Sequence, residues 1–137
     1  MSGRTTEDSK PQFPEAWSYE WSLLVGAFVG RLALTVATEL PDTRFAPELE
    51  ASAYFVIAEA LTNVVKHSQA SSAQVTVALD DGDLKVEIRD DGIGGADPRG
   101  HGLVGIGDRV VVLGGSLRIE SPPGGGTVVA AAIPVAF

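Results

Sequence analysis

The sequence predicts an α/β fold in which a layer of helices covers a mixed β-sheet. Its apolar residues alternate between strand and helix periodicity in the order strand, helix, two strands, helix, two strands, which is typical of helices packed on a sheet. Asp80-Asp81-Gly82-Asp83 separates two segments of alternating hydrophobic residues, and Asp-Gly in that position strongly indicates a hairpin. At 137 residues, the chain is long enough for one such domain.

The first half of this domain is predicted to contain one strand, the longest helix and the hairpin. Residues 31–40 alternate loosely and are rich in Leu, Val and Thr, which favours a strand that Pro41-Asp42 ends. Pro47 then opens a helical pattern that continues to about Ser68, with apolar residues on one broad face. The hairpin strands are predicted at Ala73–Leu79 and Leu84–Arg89.

The second half is predicted to contain a loop, a shorter helix and two further strands. Residues 92–102 contain five glycines and one proline, which indicates a loop. Helical periodicity returns from Leu103 to Leu113, and Gly114-Gly115 follows where glycine commonly ends a helix. The final strands are predicted at Ser116–Glu120 and Thr127–Pro134.

The composition excludes several classes of function. A net charge of −8 argues against sequence-independent binding of nucleic acid or of an anionic membrane, because both require a positive field. No cysteine is present, which excludes disulfides and cysteine-zinc sites, and two histidines are too few for a convincing metal cluster. The longest apolar run, Leu23–Val29, is far shorter than a membrane span. We therefore expect a cytoplasmic domain without nucleic-acid or direct membrane contact.

The residues before the predicted domain differ from it in composition. Residues 1–16 are polar and contain two prolines, which predicts a flexible leader. Residues 17–30 carry large apolar side chains at helical spacing, which predicts a helical segment with an apolar stripe. The stripe consists of Trp17, Trp21, Leu24 and Phe28. It either packs on the core of the domain or binds a partner, and the sequence does not distinguish these roles.

A polar stripe lies opposite the apolar face of the long helix. It consists of Glu59, Asn63 and Lys66, which fall within about 60° of each other at ~100° per residue. A carboxylate, an amide oxygen and an ammonium group placed together could polarise a nucleophile, ligate Mg²⁺ and contact phosphate. A solvated helix face explains the same pattern, although Asn is unfavourable in mid-helix unless its side chain has a partner.

Two glycine-rich segments suggest a nucleotide pocket, although a turn or an empty loop also explains each of them. Asp90-Asp91-Gly92-Ile93-Gly94 follows a strand, where a carboxylate can accept a hydrogen bond from the adenine amine and glycines leave room for a flat base. Gly100-His101-Gly102-Leu103-Val104-Gly105 coincides with a helix start, whose exposed N–H groups favour a triphosphate. This second segment lacks the Gly-Lys-Ser/Thr of a Walker A loop.

Taken in order, these segments resemble the motifs of the GHKL superfamily, which comprises the ATPases of gyrase B, Hsp90, MutL and bacterial sensor histidine kinases. The resemblance covers about residues 31–137, and the sequence is most similar to the short-lid histidine kinases that are paired with helix-turn-helix response regulators. It implies the Bergerat fold, a two-layer α/β sandwich with a mixed, mostly antiparallel sheet and helices on one face. The motifs are Glu59-x-x-x-Asn63-x-x-Lys66-His67, Asp90-x-Gly92-x-Gly94, Gly100-x-Gly102-Leu103-x-Gly105-Ile106 and Gly126-Thr127.

The resemblance also implies a role for each matching residue. Asn63 would ligate Mg²⁺, and Glu59 would act as the catalytic base or support it. Asp90 would bind the adenine amine of ATP. The remaining residues fall into three groups: Lys66 and His67 beside the phosphates; Gly92, Gly94 and Thr127 around the base; and Gly100, His101, Gly102, Leu103 and Gly105 in the short lid over the phosphates.

The implied activity is transfer of the γ-phosphate of Mg-ATP to a histidine on a separate dimerisation domain, which then serves a response regulator. Both histidines of this chain fall inside the implied nucleotide site, so the acceptor is expected elsewhere. The parent kinase would be cytoplasmic or would carry this domain at its cytoplasmic end. Two departures are a lid of only Ala96–Arg99 and Asp108 where the subgroup usually has Glu. An anti-sigma-factor-type serine kinase and a non-catalytic nucleotide-sensing module remain alternatives.

Overall fold

The computed structural model describes residues 32–41 and 44–135, with only the backbone described at His101. The predicted leader (1–16) and apolar stripe (17–30) lie outside the described residues, so both remain predictions. In the described part, no helix is both long and apolar enough to cross a membrane.

The described residues form five strands and two helices in the predicted order. The strands are β1 (Ala33–Glu39), β2 (Ser72–Asp80), β3 (Asp83–Asp90), β4 (Ser116–Glu120) and β5 (Thr127–Pro134). The helices are α1 (Pro47–Asn63) and α2 (His101–Val112), and a π-helical turn, Val64–Ser68, extends α1. Asp81 and Gly82 both have positive φ at the hairpin between β2 and β3, as Asp-Gly in a tight turn predicts.

The sheet has the mixed, mostly antiparallel character that the sequence implies. Its strand order is β1-β2-β3-β5-β4, and β1 pairs parallel to β2 with Val36 opposite Val75. All other pairs are antiparallel, and Asp90 at the end of β3 lies opposite Thr127 at the start of β5. A parallel pair needs a crossover connection, which α1 provides between β1 and β2.

Both helices pack on one face of the sheet. Their buried residues contact buried residues of the central strands in one core, to which α1 contributes Val56, Ile57 and Leu61, and α2 contributes Ile106 and Val110. From the sheet, Val75, Val77, Leu84, Val86, Ile88, Val129 and Ile133 alternate with more exposed residues, which is the period-2 pattern of a sheet covered on one side. This arrangement confirms the predicted α/β class with helices on one face.

The end of the long helix differs from the prediction. The regular α-helix ends at Asn63 rather than Ser68, and the last five residues form a π-helical turn. The Ser68 hydroxyl donates a hydrogen bond to the Val64 carbonyl (2.7 Å), and Gln69 ends the turn in the left-handed conformation. A π-turn is wider than an α-turn, so Lys66 does not continue the helical register that placed it in line with Glu59 and Asn63.

Candidate functional site

A cavity of about 460 Å³ opens where both glycine-rich segments meet the end of α1. Its walls come from the last turn of α1, the π-turn, the ends of β3 and β5, the loop between β3 and α2, and the first turn of α2. Eight of the predicted site residues line it: Asn63, His67, Asp90, Gly94, Gly100, Gly102, Leu103 and Thr127. A larger depression of about 740 Å³ lies on the opposite face of the sheet, lined in part by Lys85, Glu87 and Arg118, and contains none of the predicted residues.

Asp90 is the buried acid of the cavity. Its side chain is only 8% exposed at the end of β3, and its Oδ1 accepts a hydrogen bond from the Gly92 N–H at 2.7 Å. Burial raises the pKa of the Asp90 carboxyl, and the N–H groups of Gly92 and Thr127 oppose part of that rise. A buried carboxylate beside the apolar Ile88 and Val129 is suited to accept a hydrogen bond from a planar, mostly apolar ligand that carries an amine.

The loop glycines allow close contacts that the sequence did not predict. A Cβ atom at Gly92 would overlap the carbonyl oxygen of Ser68, and one at Gly94 would overlap that of Pro122. Gly94 also has φ of +65°, a conformation that favours glycine. Close contacts within the protein therefore require these glycines. Gly94 lines the cavity and Gly92 does not, and their predicted place beside a flat base stays a prediction.

Glu59 and Asn63 are half-buried beneath the start of α2, which excludes a fully solvated helix face at these two positions. A Cβ atom at Gly102 would lie 3.2 Å from Glu59 Oε2 and 3.3 Å from Asn63 Nδ2, so the first turn of α2 sits directly on these side chains. Asn63 Nδ2 is buried and has no hydrogen-bond partner among the described residues. A buried polar atom without a protein partner at the wall of a cavity indicates a place for a polar ligand.

Not all of the predicted site residues line the cavity, and Glu59 is among those that do not. Lys66 is exposed and does not line the cavity. His67 is exposed but lines the cavity, and Gly105 lies outside it, where a Cβ would contact the ring of Phe55 at 3.5 Å. The side chain of His101 is not described.

The first turn of α2 forms the second polar wall of the cavity. Gly100 is its N-cap, in an extended conformation (φ −64°, ψ 155°), and no side chain caps the helix. Helix α2 begins at His101, two residues before the prediction, because the Gly100 carbonyl already accepts the Val104 N–H at 3.0 Å. The N–H groups of His101, Gly102 and Leu103, which precede Val104, have no intrahelical acceptor, and together with the helix dipole they favour a bound anion.

Several contacts that shape the site were not predicted. The Ser121 hydroxyl accepts a hydrogen bond from the Ala96 N–H (2.8 Å) and lies 2.6 Å from the Thr127 hydroxyl, which joins the lid to the start of β5. Asp97 lines the cavity and accepts the Gly100 N–H through its carbonyl oxygen. Ser121 precedes an ordinary Pro-Pro-Gly turn, and nothing in its spacing from the motifs indicates a role.

Asp91 is a structural neighbour of Asp90. Its Oδ1 accepts hydrogen bonds from the N–H groups of Ser71 and Ser72 at 3.0 Å each, and its Oδ2 accepts one from the Ser71 hydroxyl at 2.9 Å. These bonds stabilise the ionised form and lower the pKa of Asp91 to about 2. The acidic pair thus divides its roles, with one carboxyl in the cavity and the other holding the loop to β2.

Sequence comparison points to ATP-binding kinase domains. The family model described as "Histidine kinase-, DNA gyrase B-, and HSP90-like ATPase" matches residues 48–136. The oxygen sensor histidine kinase NreB of Staphylococcus carnosus is 33% identical over 103 residues, which cover 72% of this chain and 30% of NreB. The nitrate/nitrite sensor protein NarQ of Escherichia coli is 39% identical over 101 residues, which cover 70% of this chain and 18% of NarQ. The chain spans less than a third of the length of these relatives.

Solved structures agree on the fold. The blue-light activated histidine kinase of Erythrobacter litoralis EL346 superposes with a TM-score of 0.74 at 24% identity, covering 89% of this chain and 41% of that chain. The ATP binding domain of PrrB from Mycobacterium tuberculosis superposes with a TM-score of 0.63 at 21% identity, covering 82% of this chain and 87% of that domain. With the family match over more than half of its length, the chain belongs to the histidine kinase-, DNA gyrase B- and HSP90-like ATPases and corresponds to the ATP-binding catalytic domain of sensor histidine kinases.

Proposed function

We propose that the cavity binds ATP together with Mg²⁺ and that the chain transfers the γ-phosphate to a histidine on a separate dimerisation domain. The observation that carries this proposal is the pairing of two unlike polar groups on one cavity. Asp90 supplies a buried hydrogen-bond acceptor at one wall, and the uncapped first turn of α2 supplies donors at the other. ATP has the matching polarity, with a donor on its base and anionic oxygens on its phosphates.

The base of ATP is proposed to lie at the Asp90 wall. The exocyclic amine of adenine would donate a hydrogen bond to the Asp90 carboxylate, while Ile88 and Val129 would contact the faces of the ring. Thr127 is placed to extend this polar wall, because it lies opposite Asp90 in the sheet and lines the cavity.

The phosphates are proposed to lie under the first turn of α2. The N–H groups of His101, Gly102 and Leu103 would donate to phosphate oxygens, with His67 at the edge and Lys66 able to approach through its flexible side chain. The amide of Asn63 fits a Mg²⁺ site, because its unpartnered buried group would supply the metal with an oxygen after a 180° rotation of the amide. Bound Mg²⁺ would neutralise phosphate charge and hold the phosphates in a reactive alignment.

Glu59 is proposed to serve the transfer step as a proton acceptor. It lies on the turn of α1 before Asn63, and a Cβ at Gly102 would be 3.2 Å from its Oε2, which supports a role beside the proposed phosphate position. In the transfer, an imidazole nitrogen of the acceptor forms a bond to the γ-phosphorus as the bond to the β–γ bridging oxygen breaks. ADP leaves with that oxygen, and the imidazole proton passes to Glu59.

The partners follow from this step. Within the chain, His67 lines the proposed phosphate site and His101 begins α2, so we infer that the acceptor histidine belongs to a dimerisation domain and that a response regulator receives the phosphate next. The relatives in which this kind of domain occurs are an oxygen sensor and a nitrate/nitrite sensor. Because ATP is the substrate, a cytoplasmic location is part of the same proposal.

A transfer assay tests this function. The full chain is incubated with Mg²⁺, ATP labelled at the γ-phosphate and a dimerisation domain that carries an acceptor histidine, with the same domain lacking that histidine as control. We expect acid-labile label on the histidine-bearing domain only. Acid-stable label on a serine would indicate an anti-sigma-factor-type kinase instead, and ATP binding without transfer to any acceptor would indicate a nucleotide-sensing module.

A further inference from the structure

Helices α1 and α2 meet along one seam that begins at the cavity wall, where Asn63 and Gly102 line the cavity, and continues away from it to Phe55 and Arg109. Phe55, Glu59 and Asn63 recur every four residues on α1, and they face Arg109, Gly105 and Gly102 on α2. The two helices run in opposite directions along this seam, since the end of α1 meets the start of α2. The two glycines allow close approach: Gly105 lies against the ring of Phe55, and Gly102 lies against the side chains of Glu59 and Asn63.

Arg109 closes the far end of the seam. Its guanidinium carbon lies 4.4 Å from the centroid of the Phe55 ring, which is the geometry of a cation–π contact. Among residues 32–41 and 44–135, no carboxylate forms a salt bridge with Arg109. The ring is therefore the partner that holds this exposed cation in the described part of the chain.

One aromatic ring thus contacts two successive turns of α2. Gly105 meets the ring at its edge and Arg109 covers its face, so sliding or rotating α2 along α1 would break both contacts together. Gly102 lies about two turns before Arg109, in the first turn of α2. Because a helix is stiff over this length, a displacement at Arg109 is transmitted to the N–H groups that face the cavity.

We propose that Arg109 and Phe55 form a clamp that fixes the first turn of α2 over Asn63, so that Arg109 is a positioning residue for the nucleotide phosphates. This inference rests on the proposed function. Donors that are already in place bind an anion without reorganisation, whereas donors on a displaced helix must be moved first. The clamp touches neither the base wall at Asp90 nor the ligand. Its loss therefore weakens binding of the phosphates and leaves binding of the base unchanged.

The test compares two ligands that share the adenosine group and differ in the phosphates with their bound Mg²⁺. Dissociation constants for adenosine and for Mg-ATP are measured by calorimetry on the full chain. The dissociation constant of adenosine divided by that of Mg-ATP reports how much the phosphates and their Mg²⁺ add to binding. We expect Arg109→Met, which keeps the length of the side chain without its charge, to lower this ratio about fivefold to tenfold while adenosine affinity stays within about twofold. Arg109→Lys retains a cation and should recover most of the ratio.

Further variants identify the ring as the partner. Phe55→Leu should lower the ratio to a similar extent, and the double variant Phe55→Leu/Arg109→Met should be no worse than either single variant, because both remove the same contact. Arg118→Met is the matched control, since Arg118 is an exposed arginine of β4 that pairs with Glu87 and Glu120 outside the cavity. Its ratio should equal that of the wild type.

Three outcomes would contradict the clamp. An unchanged ratio in Arg109→Met would overturn it while leaving the proposed nucleotide site intact. An equal loss of adenosine and Mg-ATP affinity would show a general structural role instead. Additive effects of the two substitutions would show that Arg109 does not act through Phe55. If the wild-type chain bound neither ligand, the proposed function itself would fail.

Discussion

The carboxyl groups of Asp90 and Asp91 are neighbours in sequence with opposite environments. Asp90 is buried at the cavity wall, where loss of solvation raises its pKa. Asp91 is directed to the start of β2, where hydrogen bonds from Ser71 and Ser72 lower its pKa to about 2. Two adjacent aspartates therefore serve as controls for each other. Asp90 faces the cavity and is the proposed contact for the ligand, whereas Asp91 holds the loop to β2.

Replacing each member of this pair separates binding from stability. We expect Asp90→Asn to weaken binding of a fluorescent ATP analogue at least tenfold, about 1.4 kcal/mol, because the amide presents a donor or a weaker acceptor to the adenine amine. Asp91→Asn should bind the analogue nearly as tightly as the wild type. Fluorescence titration measures both, and thermal unfolding checks that each variant is folded. Equal affinity of Asp90→Asn and wild type would remove Asp90 from the site.

The stability that Asp91 provides should depend on pH. Its folded-state pKa is depressed below the ordinary value of about 3.9, so its contribution is fully present above that value and is lost as pH falls towards about 2. We therefore expect Asp91→Asn to unfold at lower urea concentration than the wild type at pH 6, with a difference that shrinks between about pH 4 and pH 2. A constant difference across this range would show that the ionised carboxyl is not what holds the loop.

Asn63 should matter for transfer and not for folding. Asn63→Ala removes a buried Nδ2 that has no hydrogen-bond partner among the described residues, so we expect an unfolding temperature equal to or slightly above that of the wild type. Mg-dependent phosphotransfer should fall by about 100-fold or more. Asn63→Asp should also transfer phosphate more slowly, because it adds a negative charge beside the proposed Mg²⁺ and phosphates. Radiolabel transfer against Mg²⁺ concentration measures this, and full activity in both variants would exclude Asn63 as the ligand.

Two glycines of α2 offer a comparison within one helix. Alanine is favoured over glycine in a helix interior by about 1 kcal/mol. At Gly107 an added Cβ meets Leu117 at an ordinary 3.6 Å, so Gly107→Ala should raise stability and leave nucleotide binding unchanged. At Gly102 the Cβ would lie 3.2 Å from Glu59 and 3.3 Å from Asn63, so Gly102→Ala should displace the first turn and weaken Mg-ATP binding.

Calorimetric titration and thermal unfolding of both alanine variants provide the measurement. If Gly102→Ala kept wild-type affinity, close packing at this position would not be needed for the site. If Gly107→Ala lost affinity, the control would fail and the effect would belong to α2 as a whole.

Local sequence patterns predicted the main elements well, because hairpin turn chemistry and apolar periodicity act over a few residues. The hairpin turn at Asp81-Gly82, the start of α1 at Pro47 and the order of helices and strands along the chain were all correct. The π-turn after Asn63 was missed, since it depends on how Ser68 bonds back to Val64 and on how Gln69 leaves the helix. The α-helical spacing assumed for Lys66 was therefore wrong, while its predicted role beside the phosphates stays a prediction.

The candidate site was predictable where a residue is defined by its motif and not where it is defined by contacts distant in sequence. Asp90, Asn63 and Gly102 line the cavity as expected. The role of Gly92 depends on the Ser68 carbonyl, and the bond between Ser121 and Ala96 joins residues 25 positions apart. Contacts of this kind depend on the tertiary fold and leave no local pattern.

The glycines of α2 have a further consequence for how the domain becomes ordered. Gly102, Gly105 and Gly107 make twelve residues of helix intrinsically unfavourable, so α2 depends on its docking against α1 for much of its stability. Local opening should therefore begin at its first turn, at the proposed phosphate wall. A ligand held there would shift that opening equilibrium, and the protection of backbone amides in α2 from hydrogen exchange would report nucleotide occupancy from within the protein.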